Sequence, residues 1–309
     1  MAISLKSRSL ASWGAALAMT AAAGMAQAAD VTVSSKIDTE GNVLGNIITQ
    51  VLESHGLTVN NRVGLGTTPI VRKALIAGDI DIYPEYTGNA AFFFNKADDT
   101  LWKDAAKGYA EAKKLDYDAN KLVWLDPAPA NNTWAIAIRK DVAEPNKLKT
   151  LDDFGKFVTG GGKVKLIASA EFVNSAAALP AFQTTYSFKL SPDQLVVLSG
   201  GDTSATIKAA AEQTDGVNTA MVYGTDGGIE AGDLVVLDDD KSVQPVYAPA
   251  PVIRETVLKA HPDVESWLKP VFASLDLTTL QTLNGKVQVD GQAAKDVAAA
   301  YLKEKGFVK

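Results

Sequence analysis

Between Val31 and Gly88 the hydrophobic period of the chain switches back and forth between about 2 and about 3.6 residues. VTVSSKI alternates as a strand does. In TEGNVLGNIITQVLESHG, residues Val43, Leu44, Ile47, Ile48, Val51 and Leu52 recur at helical spacing, and His55-Gly56 supplies a stop. A short strand around Asn61 to Leu65, the turn GTTP and a second helix, IVRKALIAG, follow. The strand DIDIY then ends at Pro84, which brings no N–H to a ladder. Alternation this dense predicts an α/β domain with a largely parallel sheet, because parallel neighbours need a crossover and a helix is the usual one.

The pattern continues. Residues 99 to 115 read as a helix, LVWL as a strand and DPAPANN as a loop. TWAIAIRK is an apolar strand, LKTLDDFGKFV a helix, GGGKVKLIASAEF a loop and strand, and SAAALPAFQTTYSF a helix. VVLSGGDTSATIKAAAEQ gives strand, glycine turn and helix. VNTAMVYGTDGG repeats the earlier device of an apolar strand ending on tyrosine and a turn. Strands at DLVVLDD and around Gln244 to Tyr247, a helix near Arg254 to His261 and further helices complete the chain. APAP (Ala248 to Pro251) parallels APAN (Ala128 to Asn131). A proline-rich crossover near 127–132 and a return near 238–245 predict two α/β lobes. The first is discontinuous, 29–132 plus 240–309, and the second is 133–239.

Ahead of all this, Lys6 and Arg8 precede an apolar, alanine-rich run from Leu10 to Gly24, and Ala26-Gln27-Ala28 offers small residues at a cleavage site. Residues 1–28 are expected to be a signal peptide cut near Ala28. A retained anchor needs roughly 20 unbroken apolar residues, more than this run has. Removing Lys6 and Arg8 takes the formal charge from −6 to −8. That acidic balance, with no basic run, argues against nucleic acid as a partner. There are no cysteines, hence no disulfides, thiolate metal sites or lipid-modified cysteine, and the expected location is the periplasm. Two histidines, His55 and His261, stand far apart among polar neighbours and read as surface imidazoles. No cofactor or metal is expected.

Ligands of open α/β sheets bind beyond the carboxyl ends of the strands. Here those ends carry Ser35-Lys36, Gly66-Thr67-Thr68, Tyr83 to Asn89 and Tyr223 to Gly227. Nothing in them suits nucleophilic catalysis: neither histidine has a triad context, and GGGK at 160–163 lacks the serine or threonine of a phosphate loop. Asp79, Asp81 and Glu85 are candidates for an acid/base pair, but their alternation reads better as strand faces and caps. Binding fits the inventory better. Tyr83, Tyr86, Trp134 and Tyr223 are aromatic, Ser35, Thr67, Thr68, Asn89, Asn131 and Asn132 are small donors, and Lys36 is a cation. Aromatic faces attract a quaternary ammonium by ~0.5–2 kcal/mol each, and donors with a lysine suit a carboxylate. A small zwitterion with a methylated ammonium satisfies both ends. Tyr83, inside its strand, reads as core; Tyr86, beyond Pro84, reads as site.

SKIDTEGNVLGNI, GLGTTPIVRKAL, DIDIYPEYTGN, APANNTWAIAIRK, SAEF and YGTDG, in this order, resemble the osmoprotectant-binding proteins of ABC importers, and most closely their low-affinity periplasmic branch. The resemblance spans the whole predicted mature chain. It implies a two-lobed type II periplasmic binding protein with a ligand cleft between the lobes, closing like a hinge on glycine betaine, choline or a related quaternary ammonium. It implies that Tyr86 walls an aromatic cage, that Trp134 stands for a family tyrosine, and that Tyr223, opening the motif that also holds Thr225, is a further cage ring. Lys36 matches a lysine that contacts ligand in some relatives, and Asn89 a position that tunes ligand choice. Two family features are missing: an arginine where Ser175 stands, and a tyrosine in GGDTSATIKAA. Their loss is worth on the order of 2–4 kcal/mol, so weak binding is expected. The expected protein is then a monomer without enzymatic activity, binding a betaine-like ligand through Lys36, Thr67, Thr68, Tyr86, Asn89, Asn131, Asn132, Trp134, Tyr223 and Thr225, and partnered by an ABC permease. Tyr86→Ala is expected to abolish binding and leave the fold intact. A different small zwitterion or amino acid, or a periplasmic enzyme acting on a small acid, remains the alternative.

Overall fold

The computed structural model describes Met1 and residues 30–199 and 203–308. The expected signal peptide, Met1 apart, lies outside the described residues. The chain opens with β1 (Val31–Lys36), α1 (Thr39–Ser54), β2 (Val59–Gly66), α2 (Thr68–Ala77), β3 (Ile82–Tyr86), α3 (Asn89–Phe93), α4 (Ala105–Asn120) and β4 (Leu122–Trp124). It continues through β5 (Trp134–Arg139), α5 (Lys140–Asn146), α6 (Leu151–Thr159), β6 (Leu166–Ser169), α7 (Ala170–Asn174), α8 (Leu179–Thr185), β7 (Leu195–Leu198), α9 (Thr203–Ala211), β8 (Thr219–Tyr223), α10 (Gly228–Ala231) and β9 (Leu234–Val236). It closes with β10 (Pro249–Arg254), α11 (Glu255–Ala260), α12 (Val264–Ala273), α13 (Leu277–Gln288) and α14 (Ala294–Glu304).

The strands build two five-stranded sheets, ordered β2-β1-β3-β10-β4 and β7-β6-β8-β5-β9. Each sheet is parallel except for one strand: β10 in the first and β5 in the second run antiparallel to both neighbours. Each odd strand is the one the chain enters on arriving from the other sheet. The two crossovers lie side by side, with Leu125 N–H donating to Pro251 O, Ala128 N–H to Pro249 O and Asn132 N–H to Tyr247 O.

Period-2 alternation sorts each sheet's side chains into two cores. On the first sheet Val33, Ile82 and Ile253 face α1, α12, α13 and α14, while Tyr83, Ala250 and Val252 join Val71, Leu75, Trp102 and Trp124 on the other side. On the second, Ile136, Ala168 and Met221 pack with Phe154, Phe172 and Phe182, while Ala137, Ile167 and Val222 pack with Ile207 and Ile229. Helix α1 begins where Asp38 accepts the Gly41 N–H at 2.7 Å.

Several sequence expectations are corrected here. Pro84 does not end its strand. β3 runs through it to Tyr86, because Pro84, Pro249 and Pro251 all fall on one alternate set of the β3–β10 pairs, leaving Tyr83–Val252 and Glu85–Ala250 to carry the ladder. For the same reason the last strand is β10, built from the APAP segment, and not the stretch around Gln244 to Tyr247. The helix expected at 99–115 breaks at Asp104, which caps α4 by accepting from Lys107 N–H, and then continues to Asn120. The SAAALPAFQTTYSF helix shortens to α8. Thr68 and Pro69 of the GTTP turn belong to α2, whose first turn tolerates proline.

Candidate functional site

Tyr86 and Tyr223 end β3 and β8, the middle strands, and so occupy equivalent positions in the two sheets. In the second lobe Tyr223 pairs with Trp134 across the β5–β8 ladder. Their rings stack, with centroids 6.5 Å apart at 29°. Phe172 meets Trp134 edge-on from the core behind it, at 5.9 Å, so the indole is held while Tyr223 stays 37% exposed. A ring the sequence reading missed lies near Tyr223. Tyr247, on the return crossover, is pushed up to about 12 by burial and by the neighbouring Tyr223. It is positioned by the Tyr86-Thr87-Gly88 turn: Thr87 N–H donates to Ala248 O, and a Cβ on Gly88 would come within 2.8 Å of the Tyr247 ring. Only close packing against that glycine betrays its place, and nothing local in PVYAP does.

In the first lobe Tyr83, Lys36, Asn89 and Tyr86 converge on one carboxylate. Glu85 is fully buried and accepts from Tyr83 Oη, the Tyr86 N–H and Asn89 Nδ2, each at 2.7 Å, while Lys36 Nζ lies 2.6 Å from its Oε1. Lys36 also rests over the Tyr86 ring, 4.2 Å from its centroid. Tyr83 is core, as its place in the strand implied, and burial beside Glu85 raises its hydroxyl well above the usual range.

A second buried carboxylate joins the lobes. Glu40 accepts from Tyr86 Oη at 2.8 Å, Asn132 Nδ2 at 3.2 Å and Asn284 Nδ2 at 2.8 Å, and the Thr225 side chain bonds it as well. Desolvation raises its carboxyl above the ordinary value of 4.5, against the pull of those donors. Asn284 also donates to Thr225 O, Gln281 donates to Gly224 O, and Gly227 N–H donates to Gln288 Oε1. Helix α13 thus grips the YGTDGG loop. Gly227 is required there, since a Cβ would lie 2.1 Å from Gly285 N. Glu40 escaped the sequence reading because an acid in a helix's first turn needs no further explanation, and its partners lie far along the chain.

The remaining candidates fall differently. Asn131 turns its Oδ1 to the Tyr247 N–H at 2.8 Å and so braces the crossovers. Thr67 caps α2 through its backbone and is exposed; among the described residues no hydrogen bond joins the Thr67 or Thr68 side chain to the Glu40 or Glu85 cluster. The four described arginines work elsewhere: Arg62 donates to Asp79 O, Arg72 pairs with Asp116, Arg139 with Asp141 and Arg254 with Asp81. No arginine replaces the one missing at Ser175, whose hydroxyl instead accepts from Ala177 N–H. A cavity of about 770 Å³ reaches Trp134 but not Tyr223, and also touches Asn131, Thr133, Phe182, Gly224 and Gln244. Thr133 Oγ1, buried on its wall, has no partner among the described residues.

A family model for the substrate-binding domain of ABC-type glycine betaine transport systems, OpuAC, matches residues 29–304. The chain belongs to that family. The glycine betaine-binding protein YehZ of Escherichia coli (strain K12) is 59% identical over 299 residues, 96% of this chain and 98% of YehZ. The glycine-betaine-binding protein of Pseudomonas aeruginosa is 33% identical, over 92% of this chain and 90% of its own length. The solved structure of apo YehZ superimposes with a TM-score of 0.87 at 61% identity, covering 90% of this chain and 99% of that one. OpuAC membership makes this a transport substrate-binding protein with the two-lobed α/β fold that the sequence motifs implied. Among the described residues no helix is long and apolar enough to cross a membrane.

Proposed function

We propose that the chain is exported, with residues 1–28 removed, and acts as a periplasmic monomer that captures a small quaternary-ammonium solute of glycine betaine type for an ABC permease. The lobes are 29–132 plus 240–309 and 133–239, and no covalent chemistry takes place. The observation that carries the reading is the stacked, partly exposed Trp134–Tyr223 pair, with Tyr247 near Tyr223, in a chain so close to YehZ. These rings, together with Tyr86, receive the ammonium. Tyr247 takes the part of the tyrosine absent from GGDTSATIKAA. Thr133, Asn131, Thr67 and Thr68 are the donors for the carboxylate, with no arginine among them, and the affinity is correspondingly weak. Lobe closure on the ligand presents the form the permease recognises.

Calorimetric titration with glycine betaine, from micromolar to tens of millimolar, tests this. Saturable one-to-one binding is expected; no heat at any concentration rejects betaine as ligand. Choline, carnitine and proline run in parallel.

A further inference from the structure

We propose that Lys36 is an internal competitor for Tyr86: its ammonium occupies the aromatic face that a ligand's ammonium needs, and ligand binding at that ring requires its displacement. The proposal rests on the quaternary-ammonium reading above. It also departs from the role the sequence suggested, in which Lys36 holds the ligand carboxylate.

The geometry is specific. Lys36 Nζ stands 4.2 Å from the Tyr86 centroid and 2.6 Å from Glu85 Oε1, and the two side chains are nearly closed off, with Lys36 7% and Tyr86 5% exposed. A ligand carboxylate approaching Lys36 would have to oust a buried protein carboxylate already in contact. The ring cannot turn to offer itself afresh. Its hydroxyl is tied to Glu40 at 2.8 Å and its own N–H to Glu85 at 2.7 Å.

Lys36 is placed there by the backbone. Between the Ser34–Arg62 and Lys36–Gly66 pairs the β1–β2 register shifts, and such a bulge re-aims the side chains beside it. Gly41 lets α1 start close against Lys36, where a Cβ would meet the Lys36 carbonyl at 2.9 Å.

Displacing the lysine does not strip Glu85 of hydrogen-bond donors. Glu85 keeps three donors without it, from Tyr83, Asn89 and the Tyr86 backbone. A departing cation leaves Glu85 short of a counter-charge, which an incoming ammonium on the same ring supplies and a neutral solute does not. The exchange therefore selects a cationic head group as well as lowering its affinity.

Tetramethylammonium is the informative probe, since it has no carboxylate for Lys36 to hold. Calorimetry compares the wild-type chain lacking residues 1–28 with Lys36→Ala and with Lys36→Ala/Glu85→Gln, the second variant guarding against misfolding from an unpaired Glu85. Circular dichroism checks both folds. Tetramethylammonium is expected to bind the variants about 2- to 30-fold more tightly, the range one freed aromatic face provides. Unchanged, weaker or absent binding in the folded variants overturns the proposal. In the wild type, the Lys36 Hε protons are expected upfield under the Tyr86 ring current and to move back on saturation with the probe; shifts that stay put also overturn it. Wild-type silence toward glycine betaine with tighter tetramethylammonium binding in the variants rejects the betaine reading and keeps this one. Betaine binding with no gain in the variants does the reverse.

Discussion

At the scale of single residues, two tyrosines that end the middle strands of their sheets have opposite surroundings, and removing them should have opposite effects. Tyr86 is 5% exposed and hydrogen-bonds the buried Glu40, whereas Tyr223 is 37% exposed on the stacked pair. Tyr86→Ala therefore empties a core position and leaves Glu40 a donor short. It is expected to destabilise by ~3–5 kcal/mol, contrary to the expectation from sequence that the fold would be untouched. Tyr223→Ala is expected to stay within ~1 kcal/mol of wild type in urea unfolding while weakening glycine betaine about 2- to 30-fold. Full affinity in folded Tyr223→Ala removes that ring from the site. A stability loss matching that of Tyr86→Ala means Tyr223 is core instead.

At the scale of elements, what was legible had a local cause. Helix α1 was readable from its apolar stripe and its His55-Gly56 stop, and β5 and β8 from unbroken apolar runs. β10 was not, because APAPVIR is a strand only by virtue of a register that sets its prolines opposite Pro84 and Tyr86, a fact about two segments far apart in sequence. Within the candidate site, Lys36, Tyr86, Asn89, Trp134 and Tyr223 were proposed from their places at or near strand ends. Glu40 and Tyr247 were not, since their roles come from partners across the crossovers. The grip of α13 on the YGTDGG loop was equally hidden, and two glycines measure it. Gly227→Ala must push Gly285 away from its 2.1 Å approach and is expected to destabilise by ~1–3 kcal/mol. Gly108, inside α4, meets nothing nearer than 3.5 Å, so Gly108→Ala is expected to stabilise by ~0.5–1 kcal/mol through helix propensity alone. Urea unfolding of both variants decides; a stable Gly227→Ala would mean that α10 and α13 separate easily.

At the scale of the whole molecule, the seam between the lobes is built on a group that titrates. Glu40 contacts the first lobe through Tyr86, the crossover through Asn132, helix α13 through Asn284 and the second lobe through Thr225. Its carboxyl is raised above 4.5 by desolvation, with Asp38 adding a smaller push in the same direction. A folded value above the unfolded one means that folding favours the protonated form. The resulting stabilisation is complete below about 4.5 and is lost as the pH climbs through the raised folded value. Glu40→Gln abolishes this titration whatever its fixed effect on the hydrogen bonds. The difference in urea midpoint between variant and wild type, followed from about pH 4 to about pH 8, is therefore expected to drift in favour of the variant as the pH rises. A pH-independent difference would mean that the four donors hold Glu40 ionised at no net cost to the fold. The seam would then be a permanent ion site, and lobe closure would carry no proton dependence from it.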